Sequence, residues 1–364
     1  MTTANKQERR FARGKLPQDD YQTGTDVADL TKFTELLCSD SNLGSHKVLT
    51  EDNKEESNGH FHPTEEYKIG NDTTRQAERR VASEEVGRDL YLTLGSVTTT
   101  TPDAVTAAAV RKHVFKMQDL SANKQTLVTT LIEIVGSAIN RRFPSMAVEE
   151  LGFKSSGTGR LAQTMNFHGS GLVVTPSGLT AADIETIRLS GLHYFTHQML
   201  KLTVADAGTL SNAIDYSAGG NYVESWDFGI KKNLLLDQGY VPGAGLYFIA
   251  NDPTSGPIRK ECLIDSYEYR LSFVARLLND SDQLAAMRSK KQLDCAFDLI
   301  GPTIASTYKH RLTNHIPRVS YDMVELGSSG GLVTAQVNAK VFFDATTQRE
   351  AEFILYNDVP SYTI

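Results

Sequence analysis

The segment Gly327-Ser328-Ser329-Gly330-Gly331 matches the Gly-x-Ser-x-Gly pattern of hydrolase nucleophile elbows. In such an enzyme Ser329 would be the nucleophile, and a sharp turn from a strand into a helix would expose its hydroxyl. Strand-like patterns both precede and follow these glycines, so we interpret the segment as a hairpin loop. A hydrolase that uses Ser329 is therefore the least favoured function, and no catalytic residue is predicted.

Two pairs of histidines have spacings that a metal site could use. His60 and His62 would share one face of a strand, but no third ligand has a suitable spacing, and Glu65-Glu66 fits a solvated loop better. His193 and His197 are four residues apart, but the Glu of the zinc-protease motif is missing. We therefore predict no metal site and interpret His193 and His197 as partly exposed structural residues.

Glycine-rich and aromatic segments predict no cofactor site either. Gly157-Thr158-Gly159 and Gly169-Ser170-Gly171 are not followed by the Lys-Ser/Thr of a phosphate-binding loop. One aromatic and apolar stripe alternates along a strand: Tyr267, Tyr269, Leu271 and Phe273. This stripe and Trp226 could stack on bases or sugars, but the stripe contains no basic residue, so a core or a subunit interface is the favoured interpretation.

Composition limits the possible functions further. A chain of 364 residues is long enough for two domains with sizeable cores. The net charge of −7 weighs against tight nucleic-acid binding, because DNA-binding proteins neutralise phosphates with clustered Lys and Arg. Cys38, Cys262 and Cys295 lie far apart and are odd in number, which favours a reducing compartment over a disulfide framework. No apolar run approaches the roughly 18 residues of a membrane span, and the N-terminus lacks the apolar segment of a signal peptide.

The clearest predicted helix covers residues 83–95. Ser83 is the expected N-cap, and the acidic residues that follow it favour the first turn through the helix dipole. Gly95 is expected to close the helix. One helical face is apolar and consists of Val86, Leu90 and Leu94. Shorter helices are predicted at 280–287 and, from a capping-box pattern, at 179–185.

Alternation of apolar and polar residues predicts antiparallel strands over much of the remaining chain. The pattern covers residues 161–168 and is cleaner at 226–231, 293–299, 319–323 and 333–341. The stretch from Thr98 to Asp103 is expected to be a projecting loop, because Pro102 interrupts it.

An order of strand, helix and paired strands occurs twice, beginning at Arg79 and again at Tyr267. It predicts a mainly β (α+β) fold of two tandem β units, each with a flanking helix, plus an N-terminal arm. The expected divisions are an arm or loop at 1–43, a first β domain at 44–171, a connector with a short helix at 172–221 and a second β domain at 222–364. A doubled unit without catalytic motifs suggests a protein that assembles.

Taken together, these patterns resemble the tail tube proteins (major tail proteins) of long-tailed bacteriophages with non-contractile tails. The first half carries the resemblance in the Arg79-to-Gly95 strand–helix unit and in strands at 113–117, 126–135, 143–153 and 161–171. In the second half the similar segments are His315 to Tyr321 and the closing strands at 333–344 and 350–357. The Arg9-Arg10 arm and residues 179–207 match the pattern poorly.

The resemblance implies a structural virion protein whose two tandem units are β-sandwiches or barrels, each with a flanking α-helix, and whose long loops stack one ring on the next. Tail tube subunits join side by side into rings whose inner strands form one continuous β-barrel, and the rings stack into a hollow tube that conducts genomic DNA. With two units per chain, we expect a ring of three subunits with pseudo-sixfold symmetry, or alternatively a ring of six. The implied partners are further copies of the chain, tail terminator, distal tail and tape-measure proteins, and DNA in transit. The implied location is the virion tail, after assembly in the host cytoplasm, with no cofactor and no membrane.

A tube for DNA is expected to have a neutral to acidic lumen. Four acidic residues on polar strand faces are the candidates for the lumen: Asp294, Asp298, Glu350 and Glu352. Ordinary solvent exposure is the slightly favoured alternative for them. The rival functions are a capsid decoration protein or another virion or injection-machine component, such as the tube of a contractile system.

Overall fold

A computed structural model describes residues 9–18, 24–38, 40–41, 45–52, 66–207, 214–215, 223–239, 259–276, 287–329 and 331–363. In these ranges the protein is mainly β, as predicted, with two α-helices and a few 3₁₀ turns. No helix among them is both long and apolar enough to cross a bilayer. His60, His62, Glu65 and most of the predicted helix at 280–287 lie outside the described residues.

The helices are α1 (Ser83–Leu94) and α2 (Ala181–Thr186). The strands are β1 (Arg9–Gly14), β2 (Phe33–Glu35), β3 (Asp40–Ser41), β4 (Ser45–Asp52), β5 (Glu66–Arg80), β6 (Gly95–Thr100), β7 (Arg111–Met117), β8 (Val128–Val135), β9 (Ile139–Ser156), β10 (Ala162–His168), β11 (Leu200–Asp206), β12 (Ile214–Asp215), β13 (Val223–Leu234), β14 (Ile264–Arg276), β15 (Leu293–Ala305), β16 (Tyr308–Ser329), β17 (Leu332–Val341) and β18 (Glu352–Asn357).

All strand pairings are antiparallel and connect into one continuous sheet. Its larger section has the order β4–β5–β10–β9–β13–β14–β17–β16. The 22-residue strand β16 joins this section to a second one. Its second half pairs with β17, while its first half lies between β15 and β18. From there the second section continues through β11 on one side and through β7 and β6 on the other.

The two sections face each other across an aromatic core. Phe153 and Phe228 of the larger section contact Phe353 of β18, with ring centroids 5.6 and 5.7 Å apart. Trp226 stacks on Phe297 of β15 at 5.2 Å. Because their backbones are not paired, these strands are held by side-chain packing, and the arrangement is that of a sandwich whose sections share β16.

Helix α1 packs against β9, β7 and β18. Val86, Leu90 and Leu94 are all buried, so the predicted apolar face is confirmed. The C-terminal end is also confirmed, because Gly95 adopts φ +84° and its N–H bonds to the carbonyl of Tyr91. The N-cap prediction is wrong by one residue: Ala82 is the cap and makes no side-chain cap bond, and Ser83 is the first helical residue.

Helix α2 confirms the predicted capping box. The Thr180 hydroxyl accepts from the Asp183 N–H, and the Asp183 carboxylate accepts from the Thr180 N–H in return. The backbone N–H groups at the start of a helix have no partner within the helix, and these two hydrogen bonds satisfy two of them. They fix the residue at which α2 begins.

Two local predictions need correction. Residues 9–14, placed in an arm or loop, form β1, which lies between β2 and β8 and is held by its burial of Phe11 and Ala12. Thr98 to Thr100, placed in a projecting loop, belong to β6, which pairs with β7. Since β-branched residues suit a strand with one face exposed, the loop begins only after Thr100.

The two sequence halves share one structure in the described residues. Strand β9 of the first half pairs with β13 of the second, and β7 pairs with β18. A single apolar cluster contains residues from Phe11 to Tyr362. The ranges 44–171 and 222–364 therefore do not have separate cores, although each contributes a set of antiparallel strands.

Candidate assembly surface and charged clusters

The glycine-rich segment is a hairpin, as predicted. Strands β16 and β17 pair up to Ser329 and Leu332, and Gly331 has φ +82°, a conformation that suits glycine. Gly330 is outside the described residues. Ser329 lies at the end of a strand that continues into another strand, so the strand-to-helix turn of a nucleophile elbow is not formed.

This hairpin carries the most exposed group of large apolar residues in the described sheet. Met323, Leu326, Leu332 and Val333 are 37, 47, 48 and 51% exposed. From Ser320 to Ser329, β16 pairs only with β17 among the described strands, so its other side is an open edge of the described sheet. Unpaired backbone groups beside exposed apolar side chains form a surface that can accept another strand.

The opposite end of the larger section is also open. Strand β4 pairs only with β5 among the described strands, and Val48 on it is 40% exposed. In the described residues the larger section therefore ends in β4 on one side and in the second half of β16 on the other. Two different open edges on one sheet allow heterologous contacts between copies.

A second feature is a fully buried set of charges around α1. The α1 network consists of Arg13, Arg79, Glu85, Asp89 and Gln163. Asp89 binds the guanidinium groups of both Arg13 and Arg79, and it accepts a 2.9 Å hydrogen bond from Gln163 Nε2. Glu85 Oε2 accepts from Arg79 at 2.5 Å. Two cations therefore pair with two carboxylates. These contacts connect β1, β5 and β10 to α1.

Burial and mutual attraction set the ionisation of this network. Burial, together with the nearby charge of Arg79, lowers the pKa of Arg13 to about 9. Burial also opposes the ionised form of Glu85, but Arg79 and Arg13 outweigh it, and the pKa of Glu85 is lowered. Within the network two cations balance two carboxylates, and Arg88, which is 13% exposed, contacts Glu85 Oε1 at 3.5 Å at its border. This burial and pairing indicate a structural role.

A third feature is the His–Glu cluster, which consists of Glu84, His193 and His310. Glu84 lies in the first turn of α1, and Glu84 Oε1 is 2.7 Å from His193 Nδ1 and 3.9 Å from His310 Nδ1. The two imidazoles stack with centroids 4.2 Å apart and planes at 22°. His310 Nδ1 is also 2.7 Å from Ser83 Oγ. Burial, followed by the neighbouring charge of His193, lowers the pKa of His310.

The sequence did not predict this cluster. It paired His193 with His197, but His197 Nδ1 is 3.0 Å from Ser155 Oγ and its Nε2 is 2.9 Å from the Val223 carbonyl. His193 is exposed, as expected, whereas His197 is buried. His310, the second imidazole of the cluster, comes from β16, which is more than 100 residues away, and no local spacing indicates it.

The candidate lumen residues are mostly covered within the subunit. A ladder of side chains crosses β15, β16 and β18: Asp294, Asp298, Arg311, His315 and Glu352. Asp294, Asp298 and Glu352 are 4, 8 and 5% exposed, so neither a bare acidic face nor ordinary solvent exposure describes them in the single chain. Glu350 is part-exposed and lies just before β18.

Each covered carboxylate of the ladder has a cationic partner. Asp298 forms a two-point contact with Arg311 at 3.0 and 2.7 Å. His315 lies between Asp294 at 2.9 Å and Glu352 at 3.2 Å. Burial opposes the charged imidazolium, but the hydrogen bonds to Asp294 and Glu352 outweigh it and raise the pKa of His315 to about 9.

The remaining candidate segments are structural. Trp226 is buried in the aromatic core, which confirms the favoured interpretation. Gly169 and Gly171 pack against Thr73 and Asn71, where a Cβ would come within 2.3 and 2.4 Å of neighbouring atoms. Close packing of the backbone explains the glycines at these two positions.

Comparison with known proteins adds no identification. No protein-family model matches this sequence, and no curated protein matches it.

Proposed function

We propose that the protein is a structural virion subunit that assembles into rings and that the rings stack into a hollow tail tube for DNA. The observation that carries the proposal is the continuous antiparallel sheet, which crosses both sequence halves through the β9–β13 pairing and whose larger section has an open edge at each end in the described residues. A ring wall needs a sheet of this kind, because each subunit must offer one edge to each neighbour.

Closure by edge pairing would connect β4 of one copy with the second half of β16 of the next. Closing the ring removes both open edges, and it covers apolar side chains such as Leu326 that are exposed in the single chain. The two edges differ, so the contact is heterologous and repeats around an axis. The proposed ring has three copies, as expected from the sequence prediction of two units per chain, and six is the alternative.

The proposed lumen is neutral to mildly acidic, in keeping with the net charge of −7. A surface without clustered cations lets a polyanion slide, because few counterions are released on contact. Among the described residues, Glu350 is the candidate that forms no ion pair, whereas the other three carboxylates each form an ion pair with a cationic side chain. Glu350 is therefore the first of the four to test as a lumen residue.

Electron microscopy of the purified full chain tests the assembly. Long hollow tubes of stacked rings are expected, and three copies per ring are expected from particle averaging. Rings of six copies would contradict the predicted trimer but would still support a tube. Isolated particles without rings would contradict the proposal. Separate knobs on a capsid would favour a decoration protein.

A single substitution tests the edge contact. Leu326→Lys places a charge on the open edge of β16, and we expect it to block rings and tubes while the monomer stays folded. Val105→Lys is the matched control, because Val105 is 91% exposed and belongs to the β6–β7 loop and not to either edge strand. Light scattering and circular dichroism measure the two effects, and tubes of wild-type length from Leu326→Lys would exclude this edge.

For the lumen, Glu350→Lys is expected to leave assembly intact and to slow DNA passage in reassembled virions. Unchanged ejection kinetics would show that Glu350 does not line the lumen. A fluorophosphonate probe addresses the least favoured function, and labelling of Ser329 would support a hydrolase instead of a tube.

A further inference from the structure

Three side chains from distant parts of the chain converge beside the start of α1. Glu84 belongs to the first turn of the helix, His193 to the segment between α2 and β11, and His310 to β16. One ligand atom from each residue lies within 4.8 Å of the other two. The backbone holds this arrangement in place, since the Ser83 N–H donates to the His193 carbonyl at 2.9 Å and the His193 N–H donates to Glu84 Oε2 at 3.1 Å.

The donor set matches that of a transition-metal site. Two imidazoles and one carboxylate are ligands that Zn²⁺ accepts, and an open fourth position is then filled by water. Ligand atoms bound at about 2.0 Å in tetrahedral geometry are about 3.3 Å apart. The distances from Glu84 Oε1 to the two Nδ1 atoms, 2.7 and 3.9 Å, lie on either side of that value. Side-chain movements of less than 1 Å would equalise them.

Charge and access also favour a cation at this place. Among the described residues, the recorded ion pairs of the Glu84 side chain are those with His193 and His310, so no Lys or Arg occupies the carboxylate. His193 is 46% exposed, which leaves a route from solvent, while His310 is 4% exposed and fixed by packing. Imidazole donors select against Mg²⁺ and Ca²⁺, which prefer oxygen ligands.

We propose that Glu84, His193 and His310 bind one Zn²⁺ ion per chain, with water completing the coordination. The ion would connect the 192–195 segment and β16 to the first turn of α1. Binding through Nδ1 of His310 replaces the present contact of that atom with Ser83 Oγ. The site does not depend on tube formation, so it can be tested on unassembled chains.

Titration of metal-free full-length protein with Co²⁺ gives a direct spectroscopic test. We expect visible absorption bands that saturate at one equivalent and disappear when Zn²⁺ displaces Co²⁺. Zn²⁺ should also raise the midpoint of thermal unfolding, since it binds the folded chain, and Mg²⁺ should not. Absence of a saturating one-equivalent signal would overturn the proposal.

Variants assign the signal to the cluster. We expect His193→Asn and Glu84→Gln each to weaken Co²⁺ binding by at least about tenfold and to abolish the Zn²⁺-dependent rise in the midpoint. His197→Asn is the control, because it removes an imidazole from the same segment but not from the cluster. Circular dichroism checks that each variant is folded, and His193 is exposed, so its replacement carries the smallest risk. Unchanged binding by His193→Asn, or equal loss in His197→Asn, would contradict the site.

Discussion

Two regions of this protein are made of the same chemical groups in different surroundings. The α1 network pairs two arginines with two carboxylates, and its charged side chains are at most 3% exposed. The β15–β16–β18 ladder also pairs carboxylates with cations, but Arg311 is 43% exposed at its border and His315 is 17% exposed. The first region is sealed between a helix and three strands, whereas the second covers one face of a sheet.

We expect burial, more than the number of ion pairs, to determine how much a charged cluster contributes to the stability of the fold. A buried charge that loses its partner keeps the full cost of desolvation, whereas a charge at the border regains water. Asp89 therefore holds several elements in one arrangement. Asp298 pairs with Arg311 at a border that water still reaches. Four measurements test this difference between the two regions.

The largest effect is expected for Asp89→Ala. It leaves Arg13 and Arg79 buried beside a single remaining carboxylate, and we expect the free energy of unfolding to fall by about 3–5 kcal/mol. Urea unfolding followed by circular dichroism measures the change. The control is Asp322→Ala, whose carboxylate is 49% exposed. A loss below about 1 kcal/mol for Asp89→Ala would mean that water reaches the network.

The second effect is a pH dependence that arises from His315. Because its folded-state pKa is raised to about 9, the stability it contributes is complete below about pH 6.5 and is lost as the pH rises through 9. We expect His315→Gln to remove roughly 2 kcal/mol at pH 6 after allowance for solvent screening, and much less at pH 9.5. Parallel pH dependences for the wild type and the variant would show that Asp294 and Glu352 do not hold the imidazolium.

The third effect belongs to Asp298→Ala at the border of the ladder. We expect a loss of about 1 kcal/mol, because Arg311 regains water when its partner is removed. High salt should reduce the difference from the wild type, since exposed pairs are screened. Unfolding at low and at 1 M salt provides the measurement, and a salt-independent loss as large as that of Asp89→Ala would remove the contrast between the regions.

The smallest effect is expected for Arg270→Ala. Arg270 is 59% exposed and contacts Asp227 at 3.2 Å and Glu150 at 3.6 Å. We expect a change within about 0.5 kcal/mol by the same unfolding measurement. A larger loss would indicate that even exposed pairs on this sheet contribute to the fold.

Prediction from the sequence succeeded where a signal is contained in a few neighbouring residues. Val86, Leu90 and Leu94 marked the buried face of α1, Gly95 marked its end, and Thr180 with Asp183 marked the start of α2. It failed where a feature needs partners from elsewhere. Residues 9–14 look like a polar arm until β2 and β8 are placed on either side of them.

The charged candidates show the same limit. Alternation correctly placed Asp294 and Asp298 on the face of β15 opposite its apolar residues, but it could not show that cations from β16 cover that face. The His–Glu cluster had no local signal at all, because Glu84 and His310 come from distant elements.

Local patterns in the amino-acid sequence were enough to predict the mainly β character, helices α1 and α2 and the alternation of most strands, because these features depend on propensities and periods over a few residues. The folded chain was needed to see that both halves contribute to one apolar cluster, that β9 pairs with β13, and which acidic residues are covered. Those outcomes depend on contacts between residues far apart in the chain. Such contacts form where burial of apolar surface outweighs the cost of ordering the backbone, and no local pattern encodes that balance.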